Sequence, residues 1–354
     1  MNRLPEPRED LGLRDGYHSA QVDVEVRLNT NESPYPPPPA WCEEVASALA
    51  EVSWSRYPDR GALGLRSAIA TSHQVHPDQV FAANGSNEVL QAICLAYGGP
   101  GRTALSFEPT YALHTHIAHL TGTAVASEAR DEAFGLGAAQ VAEAFARHAP
   151  AIGFLCSPNN PTGLVDPPEV LEAALAAASG VVVVDEAYGQ FAERSALPLV
   201  DEDRPLVVVR TFSKTWALAG LRLGYAVAPA PMVRALERVA LPYHLDAFKQ
   251  VAGRLALDHE EEMRSRVAAL VAERERLLGR LGELAVTVWP SQANFVLIRP
   301  ERLGGTEVWR RLVERSVLVR DTSSWPGLEG CLRVTVGTPE EDDRFLAALA
   351  EVLE

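Results

Sequence analysis

The feature that most constrains the fold of this chain is a regular alternation of short apolar runs and Ala- and Leu-rich segments. The apolar runs are bounded by turn residues and lie at Val80–Ala83, Thr103–Phe107, Ala151–Cys156, Val181–Val184, Leu206–Arg210 and Gly224–Ala228. Continuous apolar runs such as Val181–Val184 are typical of strands buried on both faces of a parallel sheet. The alternation therefore predicts an α/β domain with a mostly parallel, doubly wound sheet under helices.

The segments between these runs have helical periodicity, and the pattern changes on both sides of the block. Helices are predicted at Leu63–Ser72, Asn87–Tyr97, Tyr111–Leu120, Ala138–Arg147 and Pro168–Ala178. A long helical stretch, Leu245–Leu281, is followed by strand-like segments at Ala285–Val288, Asn294–Ile298, Val317–Val319 and Cys331–Val336 and by a terminal helix. Near the start, Pro36–Pro39 predicts a stiff polyproline-type connector.

A chain of 354 residues is long enough for two domains. We expect an N-terminal arm and part of a small domain in residues 1–40 and a large domain in residues 41–260. Residues 261–354 are expected to complete the smaller α+β domain.

Charge and cysteine content exclude several classes of partner. The formal net charge of −15 argues against nucleic acid, although a few local arginines could still hold a small anion. Four cysteines lie far apart without a C-x-x-C pair, which favours free thiols in the cytoplasm over disulfides or a zinc site. The sequence shows no secretory leader and no apolar stretch that could span a membrane. The three histidines in His114–His119 are interpreted as structural or surface residues, not as metal ligands.

A lysine follows the predicted strand Leu206–Arg210 and is surrounded by anion-binding groups. Lys214 lies close to the hydroxyls of Thr211 and Ser213 and to the guanidinium of Arg222. Pyridoxal phosphate requires this combination, because it bonds covalently to a lysine amine while hydroxyls and an arginine hold its phosphate. Taken alone, the pattern would more often be a surface lysine at the start of a helix.

An aspartate ends the predicted strand Val181–Val184. Open α/β sheets bind their ligands at the carboxyl ends of the strands, where Asp185 lies. There its carboxylate can pair with the cofactor's pyridine nitrogen and keep it protonated, and Tyr188 can reach the phenolic oxygen. The alternative is an aspartate that only caps the next helix.

Two further strand ends carry residues suited to the same cofactor. In the segment Asn84–Glu88, the backbone N–H groups of Gly85, Ser86 and Asn87 would form an anion site at a helix N-terminus. After the next strand, Tyr111 could stack on the pyridine ring. Each element alone is weak, but together they predict a pyridoxal phosphate enzyme.

With these motifs, and with Ser157–Gly163, Arg27–Tyr35, Arg56–Asp59, Ser291–Phe295, Val317–Arg320 and Gly330–Glu341, the chain resembles the histidinol-phosphate aminotransferase family of fold-type I enzymes. The resemblance extends from about Tyr17 to the C-terminus. It implies a cytoplasmic homodimer that transfers an amino group between L-histidinol phosphate and 2-oxoglutarate in histidine biosynthesis. An aromatic amino-acid aminotransferase and a threonine-phosphate decarboxylase on the same scaffold remain alternatives.

The resemblance also assigns roles to particular residues. Asn160 would bind the phenolic oxygen of the cofactor and contact substrate, and Tyr57 would reach the cofactor phosphate of the neighbouring subunit. Tyr17, Arg320 and Arg333 would hold the substrate phosphate, and Lys214 would carry the proton during transfer. The chain departs from the family in having no proline directly before Tyr17.

Overall fold

The computed structural model describes residues 20–354, which form a larger and a smaller sheet with helices around them. The larger sheet contains seven strands in the order β2-β8-β7-β6-β5-β3-β4. Their bounds are β2 Val80–Ala83, β3 Thr103–Glu108, β4 Ala124–Ala129, β5 Ile152–Cys156, β6 Val181–Asp185, β7 Leu206–Thr211 and β8 Gly224–Val227. Only β8 runs antiparallel to its neighbours, so the predicted mostly parallel sheet is confirmed.

Helices cover the larger sheet because its central strands are apolar on both faces. Every residue of β5, β6 and β7 is buried, as expected for strands between two helical layers. The helices of this part are α1 Pro39–Ala50, α2 Leu63–His73, α3 Ser86–Tyr97, α4 Leu113–Leu120, α5 Ala138–His148, α6 Pro168–Ala177, α7 Ala230–Val239 and α8 Ala247–Leu257.

The smaller sheet combines both ends of the chain, in the order β1-β11-β12-β10-β9. Its strands are β1 Val26–Leu28, β9 Val286–Val288, β10 Phe295–Pro300, β11 Val317–Asp321 and β12 Leu332–Thr335. Its helices are α9 Glu260–Leu281, α10 Gly305–Glu314 and α11 Pro339–Leu353. Because β1 pairs in parallel with β11, the segment after β1 enters the space between the two sheets.

Several details differ from the sequence predictions. Helices α1, α7 and α10 were not predicted, and Pro39, the last residue of the predicted connector, begins α1. The stretch Leu245–Leu281 is two helices rather than one, because the chain leaves helical geometry around His259. The acidic residues Glu260–Glu262 then occupy the first turn of α9, where the helix dipole favours negative charge. Strand β4 was not predicted, since it is a largely solvent-exposed edge strand without an apolar run. No helix in residues 20–354 is long and apolar enough to cross a bilayer.

Candidate active site

A cavity of about 350 Å³ lies at the carboxyl ends of the parallel strands, facing the smaller sheet. It brings together eleven of the residues that the sequence predicted for cofactor or substrate. These are Ser86, Asn87, Tyr111, Asn160, Asp185, Tyr188, Thr211, Ser213, Lys214, Arg222 and Arg333. They come from five strand ends of the larger sheet and from β12 of the smaller sheet. This position agrees with the general rule that open α/β sheets bind ligands beyond the carboxyl ends of their strands.

Lys214 follows β7 and extends its amine into the cavity. Its Nζ donates to the backbone oxygen of Thr30, 3.0 Å away. Burial lowers the pKa of Lys214 to about 7, and the positive charges of Arg333 and Arg222 act in the same direction. Glu32 opposes the shift and lines the same cavity. Much of the amine is therefore neutral near pH 7, which is the form required of a nucleophile or a base.

Asp185, the last residue of β6, is held by two hydrogen bonds. Its Oδ1 accepts from the backbone N–H of Ala187 at 3.0 Å, and its Oδ2 lies 2.9 Å from Nε2 of His114. His114 is fully buried in α4 and stacks on Phe154, with ring centroids 4.8 Å apart. The sequence interpretation of the three histidines did not connect His114 with the site. Only the folded structure shows this link, because α4 packs on β3 and β4 and its His114 ring lies over Phe154 and reaches Asp185.

The same cavity presents hydrogen-bond donors that could hold an anion. Helix α3 begins at Ser86, so the backbone N–H groups of Ser86 and Asn87 lie in its first turn. The guanidinium of Arg222 contacts the hydroxyl of Ser213 at 3.3 Å. Gly85 was predicted to offer its N–H as well, but that group donates to the carbonyl of Ala83 at 2.8 Å. The N–H of Gly85 is therefore already paired within the chain, unlike the prediction that it would offer a donor to the anion.

This group of donors requires a glycine in β8. A Cβ on Gly224 would lie 2.3 Å from the backbone nitrogen of Ser86, which is closer than any side chain permits. The glycine thus allows the start of α3 to rest directly on β8. Thr211 contributes to the same group by donating from its hydroxyl to the Ser213 oxygen at 2.9 Å.

Arg333 lies on the side of the cavity formed by the smaller sheet and is almost completely buried. Its guanidinium donates to Oδ1 of Asn160 at 2.6 Å and to the backbone oxygen of Asn29 at 2.9 Å. Arg320 is the residue directly opposite Arg333 in the antiparallel pair of β11 and β12. Residues directly opposite each other project from the same face, so the two cationic side chains are neighbours.

Three predicted residues of the described part of the chain, Gly85, Arg320 and Tyr57, are not among those that line this cavity. Arg320 lies one strand away from the cavity. The Tyr57 ring is 80% exposed and stacks on Tyr243 with centroids 4.5 Å apart. Tyr17 lies outside the described residues.

The residues of the cavity fit pyridoxal phosphate. One cavity is lined by a lysine amine of lowered pKa, a buried carboxylate, an aromatic ring, and hydroxyl, amide and guanidinium donors. The carboxylate suits the pyridine nitrogen, the donors suit the phosphate, and the ring of Tyr111 would stack on the pyridine. Tyr111 donates from its hydroxyl to Oδ1 of Asn87 at 3.2 Å, which fixes its orientation.

Comparisons with known proteins agree with this chemistry. Residues 23–349 match the profile of the family "Aminotransferase class I and II". The chain is 46% identical to the histidinol-phosphate aminotransferase of Frankia casuarinae, covering 99% of this chain and 92% of that protein. It is 45% identical to the protein of the same name from Streptomyces avermitilis, covering 98% and 96% of the two chains.

Solved structures agree in fold. The aspartate aminotransferase of Thermus thermophilus with maleate has a TM-score of 0.82 at 26% identity, covering 94% of this chain and 92% of that one. The histidinol-phosphate aminotransferase of Sinorhizobium meliloti in complex with pyridoxal-5'-phosphate has a TM-score of 0.84 at 22% identity, covering 93% and 91%. An L-threonine-O-3-phosphate decarboxylase from Porphyromonas gingivalis also reaches 0.82 at 23% identity, covering 93% and 99%. The fold alone therefore does not separate these activities.

Proposed function

The chain belongs to the class I and II aminotransferase family, and on this premise we propose that it transfers the amino group of L-histidinol phosphate to 2-oxoglutarate. The products are imidazole-acetol phosphate and glutamate, and the reaction is a step of histidine biosynthesis. The enzyme is pyridoxal phosphate-dependent. When bound, the cofactor supplies a cationic ring that withdraws electrons from the substrate's Cα.

The side chains of the protein carry out the proton transfer and hold the cofactor in place. The neutral amine of Lys214 removes the proton from the substrate Cα, a role that its lowered pKa permits near neutral pH. Asp185 holds a proton at the pyridine nitrogen, and His114 keeps the carboxylate in place from behind. Tyr188 and Asn160 line the same cavity and would hold the phenolic oxygen of the cofactor.

The observation that carries the choice of substrate is the cross-strand pair of Arg320 and Arg333. Like charges directly opposite each other in a sheet repel, and Arg333 is almost completely buried, so an anion bound by both guanidiniums would offset this repulsion. A phosphate dianion or a carboxylate compensates both guanidiniums through bidentate hydrogen bonds. The same pair can thus hold the phosphate of the amino donor and then a carboxylate of glutamate.

The deciding experiment compares kcat/KM for histidinol phosphate, histidinol and phenylalanine. Histidinol lacks only the phosphate, and losing one or two charge-assisted contacts should cost about a hundredfold or more. Arg320→Ala should reduce the preference for histidinol phosphate over histidinol and change kcat/KM for phenylalanine much less. Arg333→Ala should impair both half-reactions.

Two results would reassign the activity. Phenylalanine equal to or better than histidinol phosphate would make the protein an aromatic aminotransferase. Release of carbon dioxide from threonine phosphate, without amino transfer, would make it a decarboxylase.

We further propose that the enzyme is a homodimer with shared active sites. Exposed apolar side chains support this: Trp54, Tyr57, Leu63, Leu241 and Tyr243 are all exposed, and the rings of Tyr57 and Tyr243 stack on each other. Exposed apolar groups that lie together often mark protein interfaces. The exposed Tyr57, in the connection between α1 and α2, is then available to the cofactor phosphate of the neighbouring subunit.

Mixing two inactive variants tests the shared site. Tyr57→Ala and Lys214→Ala subunits should regain activity together, because one site of each hybrid dimer receives both intact residues. Subunit exchange must be shown independently, for example with differently tagged chains. Exchange without recovered activity would mean that each site is built from one chain.

We also propose the domain division 1–40, 41–260 and 261–354 and a cytoplasmic location. In support of the division, the larger sheet lies between residues 80 and 227, and β1 joins the C-terminal sheet. In support of the location, Cys42, Cys94, Cys156 and Cys331 are free thiols. Limited proteolysis should cut first near the proposed boundaries, and thiol titration should find four reduced cysteines.

A further inference from the structure

Asn31 is a buried residue in the segment after β1 whose four polar groups are all used. Its backbone N–H donates to the Thr335 hydroxyl at 2.9 Å, and its backbone oxygen accepts from the Asn294 amide at 3.2 Å. Its side-chain Oδ1 accepts from the Thr335 hydroxyl at 3.1 Å, and its Nδ2 donates to the Tyr188 hydroxyl oxygen at 2.8 Å. The backbone of Asn31 has a φ of 55°, a left-handed conformation that asparagine tolerates better than most residues.

The direction of each hydrogen bond follows from the number of protons available. Thr335 has one hydroxyl proton, and it donates this proton to Asn31 Oδ1 while its oxygen accepts from the Asn31 N–H. The amide of Asn31 is therefore oriented with Oδ1 toward Thr335 and Nδ2 toward Tyr188. An amide nitrogen only donates, so Tyr188 is the acceptor in this bond. The phenol proton of Tyr188 must be given to an acceptor other than Asn31.

We propose that Asn31 and Thr335 are positioning residues that make Tyr188 a hydrogen-bond donor toward the phenolic oxygen of pyridoxal phosphate. The inference rests on the role proposed above for Tyr188, and it adds what fixes the direction of that hydrogen bond. Asn31 and Thr335 belong to the smaller sheet and its N-terminal segment, whereas Tyr188 follows β6 of the larger sheet. The donor state of Tyr188 therefore depends on the contact between the two parts of the molecule.

Asn31→Asp reverses the hydrogen bond with almost no change of shape. A carboxylate only accepts, so Tyr188 would donate to the new side chain and withdraw its proton from the cofactor. Aspartate is also among the residues that tolerate the left-handed conformation at this position. The variant therefore tests the direction of the hydrogen bond, since the size of the side chain is almost unchanged.

The measured quantity is the pKa of the nitrogen that joins Lys214 to the cofactor, read from the visible absorbance of the holoenzyme against pH. A donated hydrogen bond stabilises negative charge on the neighbouring phenolic oxygen and weakens its hold on this nitrogen's proton. Removing the donor should therefore raise the pKa, by about one unit for a hydrogen bond to a charged group. No amino-acid substrate is needed for this measurement.

Control variants separate the effect of the reversed Asn31–Tyr188 hydrogen bond from the effect of the added negative charge. Tyr188→Phe removes the donor and should raise the same pKa. In the Tyr188→Phe background, Asn31→Asp should shift the pKa clearly less than it does in the wild type. Thr335→Val adds no charge but frees the Asn31 amide to rotate, so it should raise the pKa, whereas Thr335→Ser keeps the hydroxyl and should leave it unchanged.

Each outcome decides between specific alternatives. If Asn31→Asp shifts the pKa equally with and without the Tyr188 hydroxyl, the added charge acts alone. This result would overturn the proposal that Asn31 and Thr335 set the direction of the Tyr188 hydrogen bond. Identical pH titrations of Thr335→Val and Thr335→Ser would also overturn the proposal. This comparison can be made even if Asn31→Asp fails to fold. An unchanged titration in Tyr188→Phe itself would instead remove Tyr188 from the cofactor contacts, which contradicts its role in the proposed function as well.

Discussion

The amine of Lys214 offers the sharpest test of the site, because its low pKa has causes that can be changed one at a time. The ordinary lysine value of 10.5 falls to about 7, first through burial and then through Arg333 and Arg222. Glu32 acts in the opposite direction. Two single substitutions should therefore shift the same pKa with opposite signs. Arg333→Met removes a positive charge and should raise the pKa, whereas Glu32→Gln removes a negative charge and should lower it.

The size of the effect is large enough to measure. At pH 8, a pKa of about 7 leaves roughly nine-tenths of the amines neutral, whereas a lysine of pKa 10.5 is roughly 0.3% neutral. The apoprotein should thus present about 300 times more neutral amine at Lys214 than an ordinary lysine does. Each charge substitution should move the pKa by about one unit, because burial is the largest cause and remains in both variants.

The assay is acetylation of the apoprotein by trace acetic anhydride as a function of pH, followed by peptide mapping. The chain contains only two lysines, so Lys249 is a natural internal control. It lies outside the cavity and pairs with Asp246. The rate at Lys214 should rise through pH 7 in the wild type. Shifts of the same sign in Arg333→Met and Glu32→Gln, or none in either, would refute the electrostatic account of this amine.

Three further predictions follow from the same geometry. Borohydride reduction of the holoenzyme should leave the phosphopyridoxyl label on Lys214 and not on Lys249, and Lys214→Ala should lose the visible absorption of the covalently bound cofactor. Asp185→Asn should fold and bind cofactor but lose about 10²–10³-fold in kcat, as for other preorganised electrostatic groups. Half-reaction rates near those of the wild type in Asp185→Asn would show that the carboxylate has only a structural role. Gly224→Ala should destabilise the protein by about 1–3 kcal/mol and weaken cofactor retention, since its Cβ would strike the start of α3. Gly279→Ala, in α9 with nothing within 4 Å of the added Cβ, is the matched control and should be neutral or stabilising in thermal unfolding.

The sequence predicted the larger sheet well because its strands are continuous apolar runs that record burial on both faces. The predicted run Val181–Val184 corresponds to β6, which ends one residue later at Asp185. Strand β4 contains no such run, because an exposed edge strand needs little apolar surface. The break between α8 and α9 was also missed, since Asp258 and His259 interrupt a pattern that stays helical on both sides.

The cofactor end of the site was predictable for a related reason. Lys214, Asp185 and Ser86 each lie at or just after the end of a strand, and strand ends of a parallel sheet meet at one edge. His114 and Asn31 gave no comparable local signal. His114 is 71 residues from Asp185 in sequence and Asn31 is 157 residues from Tyr188, so only the folded arrangement shows these hydrogen bonds.

The short segment after β1 contacts three residues of the cavity that come from different parts of the chain. The backbone oxygen of Asn29 accepts from Arg333, that of Thr30 accepts from Lys214, and the side chain of Asn31 donates to Tyr188. The segment is held by the parallel pairing of β1 with β11, the strand that carries Arg320. A displacement of the smaller sheet toward or away from the larger one would therefore strain the contacts of Arg333, Lys214 and Tyr188 together.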